Sequence, residues 1–327
     1  MHLPKFEYVE PKTIEEACSL LSTYREQAKV LAGGTDLLVM MKQKVVTPGY
    51  LLNIKRVPGL DDITDDKDGL RIGTLTTLSN IESSSKIRQR FPMLSHAAGR
   101  VAARQIQMTA TIGGNLCLDS KCWYYNQSQN WRRSREACIK RGGDICHVVK
   151  GGKRCYAVLS GDTIPALLAL GAKVKIVNAG GGRLVSVEDF FTGVGETPNV
   201  LKPEEMVTEI QVPNLPPKAR GSFMKQSLRG AVDFAVADVA AVITMEDSLC
   251  KEARIVIGSV GPAVVRAREA EEILKGKKMT DEVLDEAGKA AVKGVHLVSG
   301  AQSSVYYRRK IIHALTKRAI KQAVGIG

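Results

Sequence analysis

Five of the seven cysteines and both tryptophans of this 327-residue chain fall between residues 117 and 155. That stretch reads CLDSKCWYYNQSQNWRRSREACIKRGGDICHVVKGGKRC. Thiolates bind soft metals or one another, so three chemistries compete: structural zinc, disulfides and a four-thiolate iron–sulfur cluster. Zinc knuckles place two cysteines on one tight turn, and only Cys117 and Cys122 approach that spacing. An odd cysteine count, and an N-terminus (MHLPKFEYVEPKT) without the basic-then-apolar layout of a secretory signal, disfavour disulfides. A cluster needs only four sulfurs converging from loops, and a basic surround would stabilise its negative charge. Spacing leaves zinc and cluster level. Cys117 abuts a glycine turn and is assigned to that turn, which leaves Cys122, Cys138, Cys146 and Cys155 as the metal ligands. Trp123, Tyr124, Tyr125 and Trp131 read as local packing for an insert without a core of its own, and Cys18 and Cys250 as unpaired thiols.

Two glycine turns carry a second chemistry. VLAGGTDLLVMMK (Val30–Lys42) sets Gly33-Gly34 between a strand and a helix, where backbone N–H groups and a helix N-terminus can close on an anion. Taken alone, a tight turn that needs glycine for its geometry explains it equally well. It is neither G-x-G-x-x-G nor a Walker loop. ATIGGNL (Ala110–Leu116) repeats the pattern, with Thr111 and Asn115 as side-chain donors. Together the two loops could hold the two phosphates of a dinucleotide from opposite sides.

Regular elements must position these loops. Glu7–Val9, Lys29–Ala32 and Leu51–Ile54 read as strands separated by the helices IEEACSLLSTY, with Thr13 as N-cap, and LLVMMKQK, a βαβ-type unit over residues 1–54. From residue 55 to 215 the expected elements are a hairpin arm at Gly69–Gly73, the helices LSNIESSSKIRQRF and LSHAAGRVAARQIQ, and the cysteine insert. An apolar helix follows Asp162 and Pro165, and the strands KVKIVNA and EEMVTEIQVP close the segment. Pro213, Pro216 and Pro217 mark a boundary before a third unit, 216–327, with strands near FMKQSLR, AVADVAAVITME and ARIVIGSV and three helices. The fold class is α+β.

The chain is 44% hydrophobic and 25% charged, an ordinary globular composition, and no apolar run reaches membrane-spanning length. A cytoplasmic location is expected. The net charge is +13, and residues 117–155 hold nine Lys/Arg against three acids. No zinc-finger, RRM or helix-turn-helix pattern accompanies this charge, so an acidic protein or small molecule fits it at least as well as nucleic acid. The basic run from Arg308 to Lys321 reads as a solvated helix face. Neither a G-x-S-x-G elbow nor a spaced histidine pattern is present, so substrate chemistry within the chain is not expected.

AGGTDLLVMMK, ATIGGNL, SGDTIPALLALGA (Ser160–Ala172), FMKQSLRGAVDFAVADVAA (Phe223–Ala241) and GSVGPAVVRA (Gly258–Ala267) occur in the order found in FAD-binding subunits of the xanthine oxidase family of molybdenum hydroxylases. The resemblance covers essentially the whole chain. It implies the PCMH-type flavoprotein fold: two FAD-binding subdomains, an inserted iron–sulfur segment, and a C-terminal domain of antiparallel sheet plus helices. Carried over by position, Ala32, Gly33, Gly34, Thr35 and Asp36 would wrap the FAD pyrophosphate, with Gly113, Gly114 and Asn115 on its other side. Val101 and Thr111 fall where that family contacts the cofactor. Asp162 matches an aspartate at the adenosine portion, Val207 an apolar contact and Lys225 a lysine near the flavin ring. Arg229 and Asp233 could instead pair with each other.

A cysteine-rich insert at this place is unusual in the family. It is similar to the insert of the 4-hydroxybenzoyl-CoA reductase branch, where the segment carries a [4Fe–4S] cluster. The implied function is electron transfer from a ferredoxin-like donor through [4Fe–4S] and FAD to the [2Fe–2S] centres of a small subunit. A molybdopterin-binding large subunit would then dehydroxylate 4-hydroxybenzoyl-CoA reductively to benzoyl-CoA, in a dimer of heterotrimers. The alternative keeps the cofactors and reverses the flow, as in an aldehyde or heterocycle dehydrogenase. A non-enzymatic, basic Zn–Cys₄ module is the third reading.

Overall fold

The structure, a computed structural model, describes residues 2–299 and 303–326. Three sheets follow one another along the chain. The first joins β1 (Glu7–Val9), β2 (Ala28–Leu31) and β3 (Tyr50–Asn53) in the order β1-β3-β2, all parallel. Parallel neighbours need crossovers, supplied here by the helices Ile14–Tyr24 and Leu37–Lys42. Thr13 caps the first helix by accepting the Glu16 N–H, while the Glu16 carboxylate reaches back to the Lys12 N–H. The buried face of that helix, Ala17, Cys18 and Leu21, packs with Leu52, Ile54 and Leu60 and extends to Leu75 and Met206 of the next unit.

The second sheet is antiparallel, in the order β4-β5-β8-β6-β7, from β4 (Ile63–Asp66), β5 (Gly69–Gly73), β6 (Lys173–Asn178), β7 (Gly181–Ser186) and β8 (Met206–Pro213). Both glycine turns and the cysteine insert therefore lie outside its ladders. Two helices expected as continuous are broken. Ser84 ends Leu78–Ser83 and starts Ser85–Arg90, its hydroxyl accepting the Ile87 N–H. Ala102, at φ 45° in the left-handed region, separates Pro92–Gly99 from Arg104–Gln107. A capping serine and one reversed backbone angle outweigh the helical apolar spacing there.

After the proline-punctuated stretch 214–218 the chain enters β9 (Ala219–Gln226), β10 (Ala237–Glu246), β11 (Leu249–Gly258) and β12 (Val265–Arg266), an antiparallel meander ordered β12-β11-β10-β9. β10 is apolar on both faces, and alternation divides its contacts. Ala237, Val239, Ala241 and Ile243 meet the helices Arg268–Leu274, Asp281–Lys293 and Val305–Val324, whereas Ala240 and Val242 join the core built around Ile164–Ala169 and Pro92–Gly99. Asp238 occupies that second face. The C-terminal basic run is not wholly solvated: Arg308 is buried, donating to the carbonyls of Val236 and Ser259 and to Ser303 Oγ. Lys317 and Lys321 pair with Asp285 and Asp281.

Candidate functional site

The two glycine turns meet. A Cβ on Gly33 would collide with the Thr109 carbonyl, so the first turn lies directly against the chain that enters the second. Gly34 has φ +74°, the left-handed region that favours glycine, and lets the chain turn from β2 into Leu37–Lys42. In the second turn, Thr111 caps the short helix Ile112–Leu116 by accepting the Gly114 N–H at 3.0 Å. Gly113 packs on Thr74, where a side chain would collide with the threonine. Asn115 is buried, and its Oδ1 accepts from the Thr163 N–H at 3.1 Å and the Thr163 hydroxyl at 2.6 Å, tying this turn to the loop that carries Asp162. Asp36 does not cap its own helix; its carboxylate pairs with Lys121 of the insert. Lys55 donates to the Ala32 carbonyl at 3.3 Å.

Behind the turns lies a buried charge cluster. Lys225 on β9 donates to Asp162 Oδ2 at 2.7 Å and to the carbonyls of Arg100 and Asp233 at 2.9 Å each. The side chains of Lys225 and Asp162 are 3% and 4% exposed, and all three N–H donors of the lysine are committed. Burial pushes Asp162 up to about 6 although Lys225 opposes it. Asp238, fully enclosed and accepting from Ser259 at 2.7 Å, is pushed to about 8, by burial first and by Asp162 second. One oxygen of each carboxylate, Asp162 Oδ1 and Asp238 Oδ1, is buried without a hydrogen-bond partner. Val101 is buried beside this cluster, its carbonyl held by Gln107 at 2.7 Å. Val207 lies in β8 opposite Ile176, inside the main core. Arg229 pairs with Asp233.

The insert folds as loops with the short helix Gln129–Arg133 and a 3₁₀ turn at Ile139–Arg141. Cys122, Cys138, Cys146 and Cys155 line one cavity, with Tyr125, Lys140 and His147 also in its wall. The Cys122 thiol senses Cys138 and Cys146, and that of Cys155 senses Cys122, although burial is the main influence on both. Among the described residues no three His, Cys, Asp or Glu side chains stand where a single metal ion could take them. Cys117 stands apart, its N–H bonded to the Gly113 carbonyl and its thiol pushed by burial up to about 12. Tyr124 packs against Trp131 and His147, Arg135 lies over Trp131, and Trp123 is exposed. No cysteine is disulfide-bonded; Cys18 and Cys250 are buried free thiols.

Comparison with known proteins shows what this architecture is. The family profile for the FAD binding domain in molybdopterin dehydrogenase matches residues 4–215, and that for the CO dehydrogenase flavoprotein C-terminal domain matches 222–323. The chain belongs to the FAD-binding subunits of the molybdenum hydroxylase family. It is 28% identical to the nicotine 6-hydroxylase medium subunit of Paenarthrobacter nicotinovorans over 99% of both chains. It is 27% identical to the glyceraldehyde dehydrogenase medium chain of Sulfolobus acidocaldarius, over 98% of this chain and 99% of that one. The carbon monoxide dehydrogenase from Hydrogenophaga pseudoflava, solved without the Mo-pyranopterin moiety, superposes with a TM-score of 0.83 at 27% identity, over 100% and 99% of the two chains.

The flavoprotein-subunit fold expected from the sequence is therefore the fold observed, and the interior of the cradle fits FAD. Gly33 and Gly113 pack the turns tightly on Thr109 and Thr74, and among the described residues no hydrogen bond engages the N–H groups of Gly33 to Asp36. A buried carboxylate oxygen of Asp162 has no protein partner. Sequence reasoning missed Lys55, Lys121 and Asp238. Lys55 had a faint signal, a lysine just past a strand that follows the glycine turn; Asp238 had a stronger one, an acid interrupting ten otherwise apolar residues.

Proposed function

We propose that this chain is the electron-transferring FAD subunit of a three-part molybdenum enzyme that oxidises an aldehyde or a nitrogen heterocycle. Its partners are a large molybdopterin-binding subunit and a small [2Fe–2S] subunit, and electrons leave through FAD. The observation that carries the reading is the convergence of two glycine turns beside the unpartnered oxygen of Asp162. The oxidised substrates in the relatives' names, nicotine and glyceraldehyde, support the direction. Bound FAD exchanges two-electron for one-electron steps. The residues of this chain do the holding. Backbone N–H groups of Gly33 to Asp36 would close on the pyrophosphate, while Thr74 and Thr111, which take the N–H groups of Gly113, Gly114 and Asn115, fix the second turn against it. Asp162 would offer the cofactor its unpartnered Oδ1, while Lys225 keeps that carboxylate oriented from behind.

The four convergent thiols favour a second reading. Cys122, Cys138, Cys146 and Cys155 would hold a [4Fe–4S] cluster that receives electrons from a ferredoxin-like donor. The flow is then inward, toward reductive dehydroxylation of 4-hydroxybenzoyl-CoA. Tetrahedral sulfurs about 2.3 Å from one zinc stand only about 3.8 Å apart, and these four share a cavity without meeting single-ion spacing. The donor set thus suits a larger cluster better than one ion. Surplus cations on the insert would speed encounter with an acidic donor and make it salt-sensitive.

Anaerobic purification followed by a visible spectrum and iron, sulfide and zinc analysis tests both readings. Flavin without iron leaves the first; flavin with four irons and four sulfides admits the second; zinc without flavin overturns both. The assembled complex, assayed with aldehydes and a dye acceptor against 4-hydroxybenzoyl-CoA and a low-potential donor, then decides the direction.

A further inference from the structure

Beside the cysteine cavity, and sharing Tyr125 and Lys140 with it, opens a pocket of about 420 Å³. Its wall comes from two places: Lys44, just past the helix that follows the first glycine turn, and Arg132, Arg133, Lys140 and Arg141 of the insert. No acidic residue lines it. Lys140 is neutralised by Asp119 at 2.7 Å, whereas Lys44, Arg132, Arg133 and Arg141 make no ion pair among the described residues.

Arg132 is the unusual member. It is 6% exposed, yet its guanidinium meets only neutral oxygens among the described residues: the carbonyls of Tyr125 (3.5 Å), Gln127, Gln43 (3.3 Å) and Lys44 (2.7 Å). A second guanidinium, that of Arg141, donates to the Arg132 carbonyl rather than to an acid. Carbonyl dipoles satisfy hydrogen bonds but do not cancel charge, and a buried cation without a counter-ion is costly. Because Arg132 grips the carbonyl of Lys44, whose φ of 54° is left-handed, it fixes the backbone that projects the fourth cation into the same space.

We propose that this pocket is a binding site for a tetrahedral oxyanion: phosphate, either free or as the terminal group of an organic monoester. Four cations without a counter-ion call for a multiply charged ligand; Arg132 is spent on carbonyls, so Lys44, Arg133 and Arg141 would supply the donors, and guanidinium forks match phosphate oxygens in pairs. Occupancy bridges the insert to the helix behind the first glycine turn, so the anion fastens the cysteine segment to the flavin-binding body. The inference is independent of which function above holds.

The test uses FAD-saturated protein, so that the pyrophosphate cradle is filled, both as the full chain and in the assembled complex. Inorganic phosphate and AMP are titrated at constant ionic strength against chloride, with the thermal midpoint and calorimetric heat as readouts. Phosphate should raise the midpoint beyond chloride, and Lys44→Gln/Arg133→Gln should weaken its apparent affinity at least tenfold with the flavin spectrum unchanged. Both replaced residues are exposed, and Arg133→Gln alone should show an intermediate loss. AMP binding more tightly than phosphate identifies the monoester as ligand; equal binding identifies the free ion. Four results each overturn the proposal: chloride matching phosphate, variants that keep wild-type affinity, a response lost on assembly with partner subunits, or indifference to phosphate with slowed electron entry from an acidic carrier.

Discussion

Replacing Lys225 by methionine would expose what the buried cluster behind the flavin cradle is worth. The substitution removes the only cation bonded to Asp162 among the described residues and frees the carbonyls of Arg100 and Asp233, all within a region that water barely reaches. Breaking one side of a buried, hydrogen-bonded ion pair costs about 3–5 kcal/mol. The pH dependence of that loss has a definite sign. Burial raises both Asp162 and Asp238 above the ordinary carboxylate pKa, so the native state keeps protons that the unfolded chain has released. Stability from these two groups is therefore fully present below about pH 4 and falls as pH climbs through their folded values, near 6 and near 8. Lys225 lowers both; without it the fall extends to higher pH.

Urea unfolding of wild type and Lys225→Met, each at about pH 5 and about pH 8.5, should show a larger deficit for the variant at the alkaline value. Protonation lets the variant discharge its carboxylates at the acid value, so the two proteins converge there. A deficit below about 1 kcal/mol at both values, or one that does not change with pH, would refute the argument, because either would mean the pair is hydrated or that Asp162 is not the lysine's partner.

Three further outcomes are expected. Gly33→Ala forces a methyl into the Thr109 carbonyl, overpacking that costs about 1–3 kcal/mol, and should release FAD during gel filtration that wild type survives; retention equal to wild type would show that the turn can move. Under the cluster reading, serine at Cys122, Cys138, Cys146 or Cys155 should each lower the iron bound per chain, while Cys117→Ser should leave it unchanged, since only the first four share the cavity; iron equally sensitive to all five would relocate the site. Arg308→Met strips donors from the carbonyls of Val236 and Ser259, a loss of about 1–3 kcal/mol for buried acceptors left unmade, readable as a lower thermal midpoint; an unchanged midpoint would mean that water replaces the guanidinium.

What could be seen in the residues, and what could not, divides along a physical line. The glycine turns were legible because glycine marks a place by lacking a side chain: Gly33 and Gly113 leave room for backbone, and Gly34 takes a left-handed angle. The two-faced character of β10 was legible for a similar reason, since apolar residues at both odd and even positions demand cover on both sides. The same rule points at Asp238, an acid on a covered face that must find a partner, although nothing in the sequence singles out Ser259 as that partner. The breaks at Ser84 and Ala102 were hidden because an apolar repeat survives a single non-helical residue. Least legible was how the insert attaches. Arg132 holds the chain at Gln43 and Lys44 through their carbonyl oxygens, and Lys140 takes the Gly195 carbonyl. Every residue has a carbonyl, so such an attachment leaves no trace in the identity of the residue it grips. It leaves a trace only in the donor: a surplus of arginines in a segment with few acids. That surplus looks like a docking surface when read as charge alone. Part of it is structural, because Arg132 and Lys140 are spent on holding the cysteine segment in place, and the excess available to a ligand comes down to Lys44, Arg133 and the free side of Arg141.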